Sequence, residues 1–433
     1  MAEYLNLSRF QGALNNFKLY SDLKIEYGAS EKVEKLADEL SGVISEYIEK
    51  MKKVEEDGEL AAKEPNDLNA IKKLRADGIR KIWNKIPDNI DDKMTGAVLG
   101  RFAGCLLGVP VEGMAVETME KLAAETGTPF PPSDYWNDVY NNDYIHYGVT
   151  PRYKYTKNNM DYVGVDDDIT YTLLGLLILE KYGFDFKTED VGQTWLDILP
   201  YACTAEDIAL KNLKKGIAPK DAADIDNPYC QWIGADIRSD PWGFACAGYP
   251  EKAAELAYYD AYLSHRRNGI YGEMFFSAVE AAAFAVNTAE EAIRIGLTEI
   301  PKECTLYKDI IWTLDKSKDI HNYKEARNAV NEYFKGMHPV HTNNNAALVV
   351  FALMMSGGDF TRAISEVVAM GLDNDCTGAT TGSIMGALVG KKGIPLHWYK
   401  NFNNRVYTYI KDHTEFAIDD VIERFKALNK KII

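Results

Sequence analysis

Cysteine is scarce and scattered. The six in 433 residues (Cys105, Cys203, Cys230, Cys246, Cys304 and Cys376) include no CxxC pair. That spacing argues against a zinc knuckle or a CxxC redox motif and reads as reduced thiols of a cytosolic protein. Positive charge is short as well: 49 Lys and Arg stand against 65 Asp and Glu, for a net charge of −16. Such a balance argues against nucleic acid or an anionic membrane as partner and leaves room only for a local basic pocket. Long apolar runs are missing. The least polar stretches, Val98 to Val111 and Ala346 to Met355, fall short of the roughly 20 residues a membrane-spanning helix needs. The opening MAEYLNLSRFQG carries early acid and no apolar core, so it does not read as a secretory signal. What is present, 46% hydrophobic and 26% charged residues, is the composition of a folded chain with a sizeable core.

Alternating strand patterns are few, and helical ones dominate. From Glu31 to about Ile86 the chain is dense in Lys and Glu, with Val33, Leu36, Leu40 and Val43 at helical spacing. Pro65, Pro87 and the polar run at 88–92 punctuate this front segment. The expected organisation is a helical extension over 1–90 and a main domain over 91–433. Helices are predicted over 170–182, 251–263, 274–286, 346–355 and 360–370. Between Pro129 and Val163 lies an irregular Tyr, Trp, Asn and Pro segment. It reads either as a functional loop or as one pinned to the core by its aromatics.

Two segments carry glycine every fourth residue: Gly96, Gly100, Gly104 and Gly108, then Gly378, Gly382, Gly386 and Gly390. Each glycine costs about 0.5–1 kcal/mol in a helix interior, so a stripe of them implies close approach of another backbone. Both stripes stand near acidic clusters. Asp166, Asp167 and Asp168 precede one helical run, and Asp373 and Asp375 precede the second stripe. Some of these carboxylates suit helix caps. Adjacent carboxylates also repel one another unless a cation compensates, and clustered oxygens suit Mg²⁺, Mn²⁺ or Ca²⁺. An EF-hand reading of the second cluster fails, because Ile384 stands where the twelfth-position acid is required. The D-x-D-x-T pattern of aspartyl-phosphate phosphatases fails too, since a helical pattern precedes it here. His338 and His341 flank Pro339 with no helix to align them, which removes zinc at that pair.

Three blocks in order resemble the ADP-ribosylglycohydrolase family, which includes the dinitrogenase reductase-activating glycohydrolase. They are Gly96 through Gly108 with Pro110 and Glu112, then Asp166 to Thr172, then GLDNDCTGATTGSIMGA from Gly371. The similarity runs from about Met94 to the C-terminus. It implies an all-α orthogonal bundle and an active site with two Mg²⁺ or Mn²⁺ ions. By position it makes Asp166, Asp167, Asp168, Asp373 and Asp375 metal ligands, and Glu112 the site glutamate that also contacts substrate. Asp373, Asp375, Glu112 and Asp168 then carry the catalysis. Cys376 replaces a hydroxyl ligand, so Thr377 or water would complete the second ion's shell. Asp166 and Cys105 are further departures, marking a divergent branch. By the same analogy Ser264 and His265 lie near a bound ribose, with Asn268 and Gly269 offering backbone amides.

The resemblance implies a cytoplasmic, metal-dependent hydrolase acting at the anomeric carbon of an ADP-ribosylated protein or a small riboside. The alternatives are a non-catalytic scaffold of the same fold and a hydrolase of another free glycoside.

Overall fold

The computed structural model describes residues 4–139 and 143–433; Tyr140 to Asn142 of the aromatic segment lie outside the described residues. Among them are nineteen α-helices and two short antiparallel ribbons, Ile145–His146 with Thr150–Pro151 and Arg405–Tyr407 with Glu415–Ala417. The fold is all-α, as the helical periodicity and the scarcity of alternating runs predict.

The chain separates into two compact units, Met1–Ala62 and Lys63–Ile433. In the first, helices Ser8–Glu26 and Ser30–Met51 form a hairpin and neither contains a buried residue. The division falls before the expected boundary at 90, because residues 63–89 are tied into the second unit. Glu64 accepts from Arg267 at 2.9 Å and from the Thr305 amide at 2.8 Å. Arg75 and Arg80 both pair with the fully buried Glu299.

Within the second unit the two glycine stripes pack on each other. Helices Ile90–Gly108 and Asn374–Val389 make the most extensive helix pairing among the described residues. A Cβ on Gly96 would overlap the Gly386 carbonyl oxygen, one on Gly100 that of Gly382, and one on Gly104 that of Gly378. The register is antiparallel, one helical turn per step, and Gly390 lies just beyond the helix at φ 71°. Three interior glycines per helix forgo roughly 1.5–3 kcal/mol of helix propensity; contact of the two backbones offsets that.

One sequence expectation changes here. Ile90–Val111 forms 22 residues of helix with mean hydropathy 1.5, long and apolar enough to cross a membrane by length and composition. Yet 94% of its apolar window is buried inside the protein. The apolar stretch read from the sequence begins at Val98; the helix starts eight residues sooner, at Ile90, and stays apolar because it is enclosed by protein.

Candidate metal centre and active-site cavity

The antiparallel glycine pairing sets the C-terminal end of one helix against the N-terminal end of the other: Gly108 packs on Asn374 and Asp375. Glu112, four residues past Gly108, is therefore delivered to the acidic corner at Asp373 and Asp375. Asn374 fastens the junction, accepting from the Gly113 amide at 3.2 Å and donating to the Val111 carbonyl at 3.2 Å. Helix Asp167–Tyr182 supplies the third segment. Asp166 caps it, accepting from the Asp168 amide at 2.9 Å. Asp373 also stands at an N-cap position but makes no side-chain cap bond. Capping therefore accounts for Asp166 and not for Asp373.

Ligand atoms of three groups each fall within 4.8 Å of one another: Asp166, Asp167 and Asp168; Glu112, Asp373 and Asp375; and Asp168, Asp375 and Cys376. A cavity of about 190 Å³ opens on this cluster, with Asp167, Glu112, Asp373, Asp375 and Cys376 in its wall beside Tyr147 and Trp232. Asp167 and Asp375, 208 positions apart in the chain, thus share one hollow.

Six carboxylates meet few cations. Fully buried Arg101 bonds the Asp168 carboxylate at 2.8 Å, its carbonyl at 2.9 Å, and pairs with Asp240 at 3.0 Å. His146 contacts Asp166 at 2.7 Å. Burial, followed by the charges of Asp166 and Asp168, pushes Asp167 well above the usual carboxylate range. Burial raises Asp168 against the pull of Arg101, and burial with Glu112 and Asp373 raises Asp375. Glu112 reaches the solvent-exposed rim, yet protein packed around its carboxyl, followed by the charge of Asp373, pushes it up to about 7. Two carboxylate oxygens, Asp168 Oδ2 and Asp375 Oδ1, are buried with no hydrogen-bond partner. Carboxylate donors, unpartnered oxygens and surplus negative charge fit hard divalent cations such as Mg²⁺ or Mn²⁺.

The ADP-ribosylglycohydrolase family profile matches residues 86–430. The chain belongs to that family. A solved structure described as an "ADP-ribosylglycohydrolase-related protein complex" shares the fold at a TM-score of 0.52 and 19% identity, covering 80% of this chain and all of that one. No curated protein matches.

Set beside the family blocks, the geometry gathers Glu112, Asp166, Asp167, Asp168, Asp373 and Asp375 at one place. Thr377, expected to replace the missing hydroxyl ligand, is buried with its Oγ1 unpartnered; it is Cys376 that reaches the cavity wall. The expected ribose contacts do not line this cavity. Ser264 and His265 are sealed from solvent and bonded to each other at 2.8 Å, with Ser264 Oγ accepting from Arg238 at 3.0 Å. Burial, reinforced by Arg238 and Arg266, holds His265 well below the usual histidine range. Asn268 accepts from the Leu306 amide at 2.9 Å and donates to Gln231 at 2.8 Å. Gly269 sits where a Cβ would overlap the Cys230 carbonyl oxygen. Ser264 supports the wall from behind: Arg238 joins it to Glu206, and Glu206 lines the cavity.

Several site residues escape sequence reasoning. Arg101 is the one cation in the buried stretch from Gly96 to Gly108, which is a readable signal. His146 and Tyr147 come from the aromatic segment, which is pinned to the core by its aromatics and also reaches the cavity wall. Trp136 is fully buried and donates to the Leu107 carbonyl at 3.0 Å, while Tyr147 lines the cavity. The run from His341 to Asn345 is legible in the sequence as a helix cap or cleft rim: His341 caps the helix, and Asn345 accepts from the Asp373 amide at 3.2 Å. Left-handed backbone occurs at two wall residues, Tyr147 (φ 49°) and Thr204 (φ 43°), and at Leu372 (φ 68°), which precedes Asp373. Non-glycine residues in that region cost about 1–3 kcal/mol each and gather where surrounding structure dictates the geometry.

Proposed function

We propose that this chain is a metal-dependent glycohydrolase that cleaves the anomeric bond of an ADP-ribosyl group or a related riboside. The observation that carries this reading is the convergence of three carboxylate-bearing segments on one cavity, with buried oxygens left unpartnered. Asp167, Asp168, Asp373, Asp375 and Glu112 would hold two divalent cations, Mg²⁺ or Mn²⁺, with Asp166 capping the helix beside them. Such ions anchor sugar hydroxyls and lower the pKa of a water.

The chain's own groups do the rest. Hydrolysis at an anomeric carbon passes through an oxocarbenium-like state, and the ring of carboxylates favours that positive charge. Glu112, the only exposed carboxylate of the six, receives the attacking water's proton and passes it to solvent. Arg101 fixes Asp168, and Asn345 with Asn374 fixes the Asp373 corner, so the geometry is set before substrate arrives. Tyr147 and Trp232 offer flat walls to the sugar or its leaving group. At about 190 Å³ the hollow is below the roughly 300–1,000 Å³ of drug-sized sites, so it takes a single sugar ring and leaves the remainder outside. Six unpaired cysteines fit a reducing compartment.

The test is a substrate panel: ADP-ribosylated arginine and serine peptides, and simple ribosides, each with Mg²⁺, Mn²⁺ or Zn²⁺. Turnover of a modified peptide supports the full reading. Turnover of simple ribosides alone keeps the glycohydrolase and removes the ADP-ribosyl substrate. No turnover anywhere favours a scaffold that has lost catalysis, a reading that the Cys376 substitution keeps in play.

A further inference from the structure

Resting on the metal-dependent reading above, we propose that Cys376 is a metal ligand and that, with Asp168 and Asp375, it makes one of the two cation positions selective for a thiophilic divalent ion of the zinc class.

The three ligand atoms lie within 4.8 Å of one another. Asp168 is fully buried, Asp375 is 3% exposed and Cys376 6%. Asp168 gives one oxygen and its carbonyl to Arg101, which leaves Asp168 Oδ2 without a partner, as Asp375 Oδ1 is. Two unsatisfied buried oxygens beside a buried sulfur are a built donor set. One sulfur and two oxygens with the cavity on the remaining side match the catalytic zinc pattern of three protein ligands and one open position.

Sulfur decides the selectivity. Mg²⁺ demands oxygen donors and near-octahedral geometry, whereas thiolate favours zinc and its neighbours in the series. On binding, the Cys376 S–H bond breaks, the sulfur electron pair forms the bond to the ion, and the proton leaves to buffer. No oxidation state changes. The carboxylate triad Glu112, Asp373 and Asp375 has no sulfur and keeps its preference for Mg²⁺ or Mn²⁺.

The experiment uses the full chain. Zn²⁺ K-edge absorption of the zinc-loaded protein should require one sulfur at about 2.3 Å; a shell of oxygen and nitrogen alone would overturn the proposal. Cd²⁺ titration should give one thiolate-to-metal ultraviolet band, displaced by Zn²⁺, lost in C376S and kept in C203S, the control for the other cavity cysteine. C376T should keep Mn²⁺ binding while its Zn²⁺ preference over Mg²⁺ falls by about tenfold or more, the scale on which ligand-sphere changes act. A cadmium band that survives C376S refutes the assignment. Mn²⁺ binding without any sulfur signal refutes the thiol ligand and leaves the oxygen-ligated site standing. Failure of every divalent ion to bind removes both readings. Should C376S not fold, the wild-type absorption measurement alone decides.

Discussion

Arg101 shows how much a single side chain carries. Its guanidinium is fully buried between Asp168 and Asp240, and Asp240 in turn accepts from Ser383. Replacing it with methionine keeps the volume and strands two carboxylates. We expect R101M to lose about 3–5 kcal/mol of stability, as for other broken buried pairs, measured by urea denaturation of the metal-free protein. A loss under 1 kcal/mol would mean that the pair is not closed in solution. Glu255 offers a pH test away from the site. Burial raises its carboxyl, but hydrogen bonds from Lys72 and Lys252 hold it down at about 2. Its folded value lies below the unfolded value of roughly 4.3, so its contribution is present above that pH and is lost as pH falls through about 2. The stability gap between wild type and E255Q should therefore shrink across that window, followed by denaturant midpoints at successive pH values. At this scale the carboxylates were legible in the sequence, because runs of like charge are costly unless something compensates. Arg101 and His146 were harder to find, since their partners stand 67 and 20 residues away and no local pattern joins them.

At the scale of elements, the paired glycine helices position the chemistry. Alanine is the better helix former by about 0.5–1 kcal/mol, yet a Cβ on Gly100 meets the backbone of Gly382. Overpacking of this kind costs roughly 1–3 kcal/mol, so G100A should be less stable than wild type by urea denaturation; a gain would contradict the close pairing. The same variant should weaken metal binding, because separating the helices moves Glu112 away from Asp375. The four-residue spacing made these helices readable before the fold was known. Their partnership was a hypothesis from glycine cost alone, and the register emerges only from the fold. The ribose-contact expectation at Ser264, His265, Asn268 and Gly269 shows the reverse. Short polar motifs carried by analogy fall in this chain on buried residues outside the cavity lining, where Ser264 is bonded to Arg238 and Asn268 to Gln231 and Leu306.

Over the whole molecule, the family match at 86–430 lies inside the unit that begins at Lys63. Residues 63–85 add a strap whose Arg75 and Arg80 pair with Glu299, and Arg75 also with Glu251. Its density in Lys continues that of the preceding hairpin, which is why sequence alone grouped them. Only the distant partners separate the two. The all-α class followed from periodicity, but the enclosure of Ile90–Val111 did not, because an apolar helix surrounded by protein and one surrounded by lipid are written alike.

The central claim is that carboxylates from three distant segments bind divalent cations in one cavity. Calorimetric titration of Mn²⁺ into the metal-free full chain, beside D373A/D375A, tests it most directly. The account predicts saturable binding in the wild type that is abolished in the double variant while its helical circular dichroism is retained. Equal binding in both proteins would contradict it.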